Sequence, residues 1–367
     1  MPVAIAQEVF SFTLAHRMLT RISVLLTLAL SPLCIKAQTG GGTSFQVLQA
    51  ISPARVAALG GNAMAVKDGD LNLAFITPSL LDSATAGQMA LGYTRYFGEA
   101  NVSHAAYAHH IKGLGTMSIG IQAIGYGTFD MTDEAGNLTG NFTAGEYMVQ
   151  VGLGRKLDEH FSIGSNAKFV HSQMAGFNAI ALVADAAATY QNIKGDFAAS
   201  LMFRNVGQVL NSYRPGIEEQ LPFEIQAGVS KKLENAPLRF SLIGENLHVW
   251  DLTPGSSDEL VRDPLTGEER QVNPGGFAEN LMRHIVFNTE ILLTENVHLR
   301  VGYNYNRRQQ LKIEERPGTA GITWGLAFRV SKFHLSYGRA AYSLAGVTNH
   351  LGLSLRFDDF KKAAGPM

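Results

Sequence analysis

Thr116-Met117-Ser118-Ile119-Gly120-Ile121-Gln122-Ala123 puts Met117, Ile119, Ile121 and Ala123 on one face of an extended chain and Thr116, Ser118, Gly120 and Gln122 on the other. A period of two marks a strand lying between two different environments. Stretches of this kind, about ten residues long, recur from residue 87 to residue 357, joined by very short turns or longer polar loops. Strands of that length and number turn their apolar side to lipid. The fold class expected is all-β, a transmembrane antiparallel β-barrel of about fourteen strands with a small N-terminal plug.

The strands expected are 87–97, 101–111, 115–125, 144–156, 160–172, 178–191, 195–206, 222–232, 237–248, 283–293, 297–307, 319–330, 332–341 and 347–357. Short connections such as Lys112-Gly113-Leu114, Leu157-Asp158-Glu159 and Thr294-Glu295-Asn296 alternate with loops at 126–143, 173–177, 207–221, 249–282, 308–318 and 342–346. Outer-membrane barrels alternate periplasmic turns and outer loops in this way. Along single strands, Leu182, Ala184, Ala186 and Ala188 oppose Asp185 and Thr189, and Ile322, Trp324, Leu326 and Phe328 oppose Thr323 and Arg329. A charge facing lipid at mid-depth costs about 2–4 kcal/mol. Asp185, Arg300, Arg329 and Arg356 are therefore expected to point into the lumen. Phe161, Tyr190, Phe197, Phe240, Phe333 and Phe357 fall near the short turns, where an interfacial aromatic girdle belongs.

The 367 residues carry a formal net charge of −1 and only 17% charged residues. With no basic stripe, nothing points to nucleic acid. No apolar run reaches the roughly 18 residues of a membrane helix. Ile22 to Leu30, after Arg17 and Arg21 and before Ser31-Pro32, reads as the core of a secretory signal peptide ending at Ile35-Lys36-Ala37, with Met18 as an alternative start. Ser31-Pro32-Leu33 lacks the small residues that precede a lipidated Cys34, so the one cysteine is expected to leave with the signal. The expected organisation is signal peptide 1–37, leader and plug 38–86, barrel 87–357 and tail 358–367. Within 38–86, Ser52 to Gly61 reads as a short helix with a glycine stop, Asp68-Gly69-Asp70 as a turn and Pro78 as a breaker. A plug inside the periplasmic end of the barrel is the placement expected, with a periplasmic cap as the alternative.

The residues of reactive chemistry do not assemble into a site. Ser165 and Lys168 have the spacing of a serine–lysine pair, but on a strand residues three apart face opposite ways. His104, His109, His110, His171, His284, His298, His334 and His350 lack metal-ligand spacing. No catalytic residue, metal or cofactor is expected. Asp130, Asp133, Glu134 and Asn137, with Gly136, read as a polar hairpin tip. The loop 249–282 is far longer than ordinary connections, and Trp250, Asp251, Arg262, Asp263 and Arg270 within it are the candidates for docking a partner.

Leu48 to Gly61, with its Ala54-Arg55-Val56-Ala57-Ala58-Leu59-Gly60-Gly61 core, and Asp68-Gly69-Asp70 through Pro78-Ser79-Leu80-Leu81 resemble the PorV/PorQ family, most closely its PorQ members. These are outer-membrane proteins of the type IX secretion system of Bacteroidetes, related to FadL-type barrels. Arg55, Gly60, Gly61, Asp68, Asp70 and Pro78 carry the motif, with Thr77 where the family pattern has Asn. The resemblance implies a non-enzymatic component of the secretion and attachment complex in the bacterial outer membrane. It would anchor a PorZ-like surface protein near a PorU-like sortase and a PorV-like barrel, where cargo is joined to lipopolysaccharide. The alternative is a FadL-type channel for hydrophobic solutes, which needs an apolar path past the plug and a lateral gap. Gly120, Gly125 and Gly127 could kink the third strand to open one.

Overall fold

The computed structural model describes residues 43–96, 98–216, 218–253, 261–262, 269–270, 276–311, 318–343 and 346–361. The signal peptide expected at 1–37 and most of the expected leader lie outside them. In chain order the strands are β1 (Gln88–Arg95), β2 (Asn101–Ile111), β3 (Gly115–Thr132), β4 (Leu138–Lys156), β5 (Phe161–Met174), β6 (Phe177–Gln191), β7 (Phe197–Asn211), β8 (Glu224–Lys232) and β9 (Leu238–Gly244). They continue as β10 (Val261–Arg262), β11 (Glu269–Arg270), β12 (Ile285–Leu292), β13 (Val297–Asn304), β14 (Ile322–Val330), β15 (Phe333–Ser343) and β16 (Gly346–Arg356). β10 and β11 pair only with each other. The other fourteen form one closed antiparallel barrel in sequence order, sealed by β1 against β16 from Gln88↔Arg356 to Arg95↔Asn349.

Alternation along each strand fixes which side is greasy. In β6 Ala179, Ala181, Val183, Asp185, Ala187 and Thr189 are buried while Leu182, Ala184, Ala186 and Ala188 are exposed. In β14 Thr323 is buried while Ile322, Trp324, Phe328 and Val330 are exposed. Asp185 and Arg300 are buried in the lumen. Arg329 shares the inward register with Thr323 but stands exposed at the strand's inner end, where water solvates it. Arg356 is half-buried and donates to the Ala84 carbonyl. At the inner rim Phe161 meets Tyr190 with ring centroids 5.2 Å apart and Tyr107 meets Phe357 at 5.9 Å, a contacting aromatic girdle.

The outer connections depart from the sequence reading in particular places. Residues 126–143 are a hairpin rather than a loop: β3 and β4 stay paired through Phe129↔Phe142, and Asp133 caps the tip by accepting from the Ala135 and Asn137 amides. Residues 173–177 are a two-residue turn, with Ala175 (φ 49) and Gly176 (φ 88) both left-handed as tight hairpins require. The helices Phe277–Arg283 and Tyr305–Leu311 replace the outer ends expected for the strands at 283–293 and 297–307. The wall is therefore uneven: β3 and β4 run 18 and 19 residues, β12 and β13 only 8 each. After β16 the chain turns into a short helix, Asp358–Lys361.

Residues 43–86 fill the bore and contribute much of the buried apolar surface, with Phe45, Leu48, Val56, Leu59, Leu71, Phe75 and Leu81 in it. The sequence reading put this segment at the periplasmic end, but it spans the lumen. Ser44 lies against the outer connection after β7, its amide donating to the Gln220 carbonyl, while the Gly87 amide reaches β2 at the inner rim through Ala108. The reason is polar satisfaction. The lumenal faces of strands around the wall carry Gln122, Glu146, Gln150, Glu290 and Thr323, and the segment's backbone and Arg55 supply their partners.

Candidate functional site: the filled bore

The helix Ala54–Ala58 sits against the inner faces of β14, β15 and β16 and aims Arg55 across the lumen. Arg55 Nε and Nη2 donate to both oxygens of Glu290 on β12 at 3.0 and 2.9 Å. Nη1 reaches Asp70 at 2.9 Å and Nη2 reaches Asp68 at 2.7 Å. Arg239 on β9 bridges Asp68 and Glu290 at 2.8 Å each, and Arg300 on β13 donates to Glu290 at 3.0 Å. Three guanidiniums thus face three carboxylates with no net charge. Burial alone would raise the pKa of Asp68, but Arg55, by charge and hydrogen bond, and then Arg239 outweigh it and bring it to about 2. The 28% of the Asp68 side chain still open to solvent tempers what this pairing adds to stability. Asp70 also caps the helix Leu71–Ile76 by accepting from the Asn72 amide.

The other motif residues seat the segment on the wall. Gly60 (φ 69) and Gly61 (φ 97) end the helix in a left-handed turn that side chains avoid. Gly60 donates to Thr323 Oγ1 at 2.8 Å and comes so close to Gly302 that a Cβ there would lie 2.0 Å from its nitrogen. Pro78 opens the turn Pro78–Leu80, and its carbonyl fits over Gly154 and Gly164. Thr77 makes no side-chain cap, and its buried hydroxyl has no partner among the described residues. Arg55, Asp68 and Asp70 thus come together, whereas Gly60, Gly61 and Pro78 are separate seats. Sequence reasoning placed Arg300 in the lumen but did not join it to Arg55, and it missed Glu290 and Arg239; a glutamate and an arginine at lumenal register in neighbouring strands was the available signal.

Towards the outer side the segment is held by uncharged backbone groups. Glu146 accepts from the Val47 amide at 2.7 Å, and Gln122 donates to the carbonyls of Val47 and Ala50. Arg204 donates to the Leu48 carbonyl at 2.6 Å and Gln150 to the Phe75 carbonyl at 2.6 Å. Between them lies a cleft lined by Val47, Leu48, Ile51, Phe75, Ile76 and Met148, with Lys168 and Arg204 at one side. Its free space has room for about two water molecules. Lys168 is paired with Asp185 inside the barrel while Ser165 points outward, so the two share no site.

The wall beside this cleft contains a discontinuity. β3 is hydrogen-bonded to β2 without interruption up to Gly125↔Asn101, so Gly120 and Gly125 open no lateral gap, while Gly127 lies beyond the last of these pairs at the β3–β4 bulge. β7 pairs with β8 only as far as Arg204↔Glu224. Beyond it, among the described residues, no backbone hydrogen bond ties Val206–Asn211 to the chain on the β8 side. Pro222, which has no amide proton, stands here, and Asn205 donates a side-chain hydrogen bond to its carbonyl.

Of the docking residues expected on 249–282, exposed Trp250 packs on Phe277 (5.2 Å) and His284 (5.8 Å). Asp251 accepts from the Thr253 amide. Arg262 and Arg270 lie opposite each other's neighbours in the β10–β11 ribbon, and Asp263 falls outside the described residues.

No protein-family model and no curated protein matches the chain. Among solved structures it is similar to the toluene transporter TbuX of Ralstonia pickettii, at 12% identity and TM-score 0.51 over 84% of this chain and 99% of that one. It is also similar to the toluene transporter TodX of Pseudomonas putida (11%, TM-score 0.47, 84% and 98%) and a FadL homologue of Pseudomonas aeruginosa (9%, 0.46, 83% and 98%). The fold, a closed fourteen-stranded barrel, is that of TbuX, and the place of such a barrel is the bacterial outer membrane.

Proposed function

We propose that this barrel takes up a hydrophobic small molecule and passes it across the outer membrane. The observation that carries the reading is the cleft between plug and wall, where Val47, Leu48, Ile51, Phe75, Ile76 and Met148 meet Asn62, Gln122, Gln150, Lys168 and Arg204, lying close to the wall segment where β7 and β8 part. Apolar side chains with convergent polar groups among them are what holds a small molecule in a pocket. Because the cleft now holds only about two waters, entry requires the arm 43–51 to shift. The inner end of the plug is clamped by charges, while the arm is held by single hydrogen bonds, so it is the part that yields. The fold it shares with a toluene transporter suggests which solutes to test first.

Uptake of radiolabelled toluene and of a long-chain fatty acid by cells lacking the protein, and by cells carrying Ile51→Arg, tests this. Expected is a fall in uptake of at least one solute in both strains, restored by the native chain. Uptake equal to the parent in the deletion strain sinks the reading.

A second reading, anchoring within a type IX secretion complex, is favoured by the convergence of the motif residues Arg55, Asp68 and Asp70 on one clamp. Here a PorZ-like surface protein would dock on the 249–282 side, beside the PorU-like sortase, the PorV-like barrel and lipopolysaccharide. Deleting 254–275 is expected to leave the barrel in the membrane and release the surface partner. Retention of every partner after that deletion removes this reading.

A further inference from the structure

The hairpin of β3 and β4 changes character partway up. On β4, Tyr147, Val149, Val151 and Leu153 face outward, but further along the same face come Gly145, Thr143, Asn141 and Thr139. The apolar character moves to the opposite face, where Phe142 continues the lumenal series of Gln150, Met148 and Glu146. β3 makes the same change through a bulge between Gly125 and Gly127, which places Phe129 opposite Phe142 and Thr128 opposite Thr143. Lipid contact therefore ends near Tyr147. Above it stands a two-stranded ribbon with a polar outer face as far as Asp130 and Asn141 and an inner face that carries Phe129, Met131 and Phe142; a second bulge, between Met131 and Thr132, turns Leu138 to the outer side at the tip.

Among the described residues no strand pairs with the ribbon's edges, and Phe129 and Met131 are 44% and 43% exposed. β2 ends its pairing with β3 at Gly125, and β5 ends its pairing with β4 at Ala144. The Thr128 amide points away from β4 and donates to Glu99 at 3.1 Å. By the two-residue period the N–H and C=O of Asp130 point to the same free edge. An isolated two-stranded ribbon is marginal in water and offers a template for a third strand. Here the Phe129–Phe142 stack at 5.3 Å, the Thr139 hydroxyl donating to the Met131 carbonyl and the Asp133 cap support it.

We propose that this ribbon is a strand-addition site. An extended polypeptide segment pairs along the β3 edge at Asp130 and lays alternate apolar side chains on Phe129 and Met131. The unpaired N–H and C=O of Asp130, flanked by the side chains of Phe129 and Met131, match the backbone and alternate side chains of an extended polypeptide. Neither reading of function is a premise, and failure here leaves both standing.

Single cysteines test it, with the parent chain, whose one cysteine is Cys34, as background. Met131→Cys and Thr143→Cys are labelled with a membrane-impermeant maleimide in intact cells and in the detergent-purified barrel. Met131→Cys is expected to react an order of magnitude more slowly in cells than when purified, and Thr143→Cys at equal rates in both. Adding Asp130→Pro, which deletes the edge donor but no β3–β4 bond, is expected to restore labelling in cells. Phe129→Ser is expected to do the same without touching the backbone. Equal labelling of Met131→Cys in cells and detergent overturns the proposal. So does protection that survives both substitutions, protection lost only when lipopolysaccharide is extracted, and protection in the purified barrel that vanishes on dilution, which marks a second copy.

Discussion

Arg55 is the residue on which the closed bore turns. Its side chain is 5% exposed and holds Glu290, which is 2% exposed, together with Asp68 and Asp70. Removing one partner of such a buried set leaves the others uncompensated and costs about 3–5 kcal/mol. Arg55→Ala is therefore expected to lower the melting temperature of the purified barrel and make the segment 43–86 sensitive to protease; an unchanged melt contradicts the clamp. Acid acts on the same group in a definite direction. The folded pKa of Asp68 is held down to about 2, below the unfolded value of about 3.9. Its contribution is complete above about pH 4 and lost as pH falls through about 2. Melts of the native chain are expected to fall over that window more steeply than those of Asp68→Asn.

At the scale of elements, close seats hold the plug. A methyl at Gly302 would meet the Gly60 nitrogen at 2.0 Å, and neither backbone can retreat cheaply. Gly302→Ala is expected to leave the barrel folded in the membrane while loosening the segment and raising permeability to large antibiotics. An antibiotic sensitivity matching the parent counts against the seat. The wall strands were legible in the sequence because each carries two environments at a fixed period: every expected strand from 87–97 to 347–357 overlaps an observed one. The ribbon at 126–143 was missed because its apolar face changes sides at a bulge, which looks like the loss of pattern. The outer ends of β12 and β13 were overextended because helices there continue the apolar spacing. The clamp was half visible: Arg55, Asp68 and Asp70 stand out in a short segment, but their partners Glu290, Arg239 and Arg300 are far along the chain and announce themselves only by register.

For the whole molecule, a bore filled from the outer side to the inner rim conducts no ions in the state described. In planar bilayers the native chain is expected to be silent, and a chain lacking residues 43–86 to show either steady openings or failure to assemble. Steady ion conduction by the native chain is incompatible with the packed lumen. The outward belt of Leu, Ile, Val, Phe and Trp requires detergent for a monodisperse preparation.

The unequal lengths of the strands also bear on the membrane itself. Eight residues at about 3.4 Å, inclined by about 40°, cover only about 21 Å along the bilayer normal, less than the usual apolar band of about 25 Å. Exposed Phe277, Leu281 and Leu293 continue the apolar surface past both ends of β12, so the height of the belt on that flank is set by side chains that lie outside the sheet. A short strand need not thin the bilayer where such residues lengthen its greasy side.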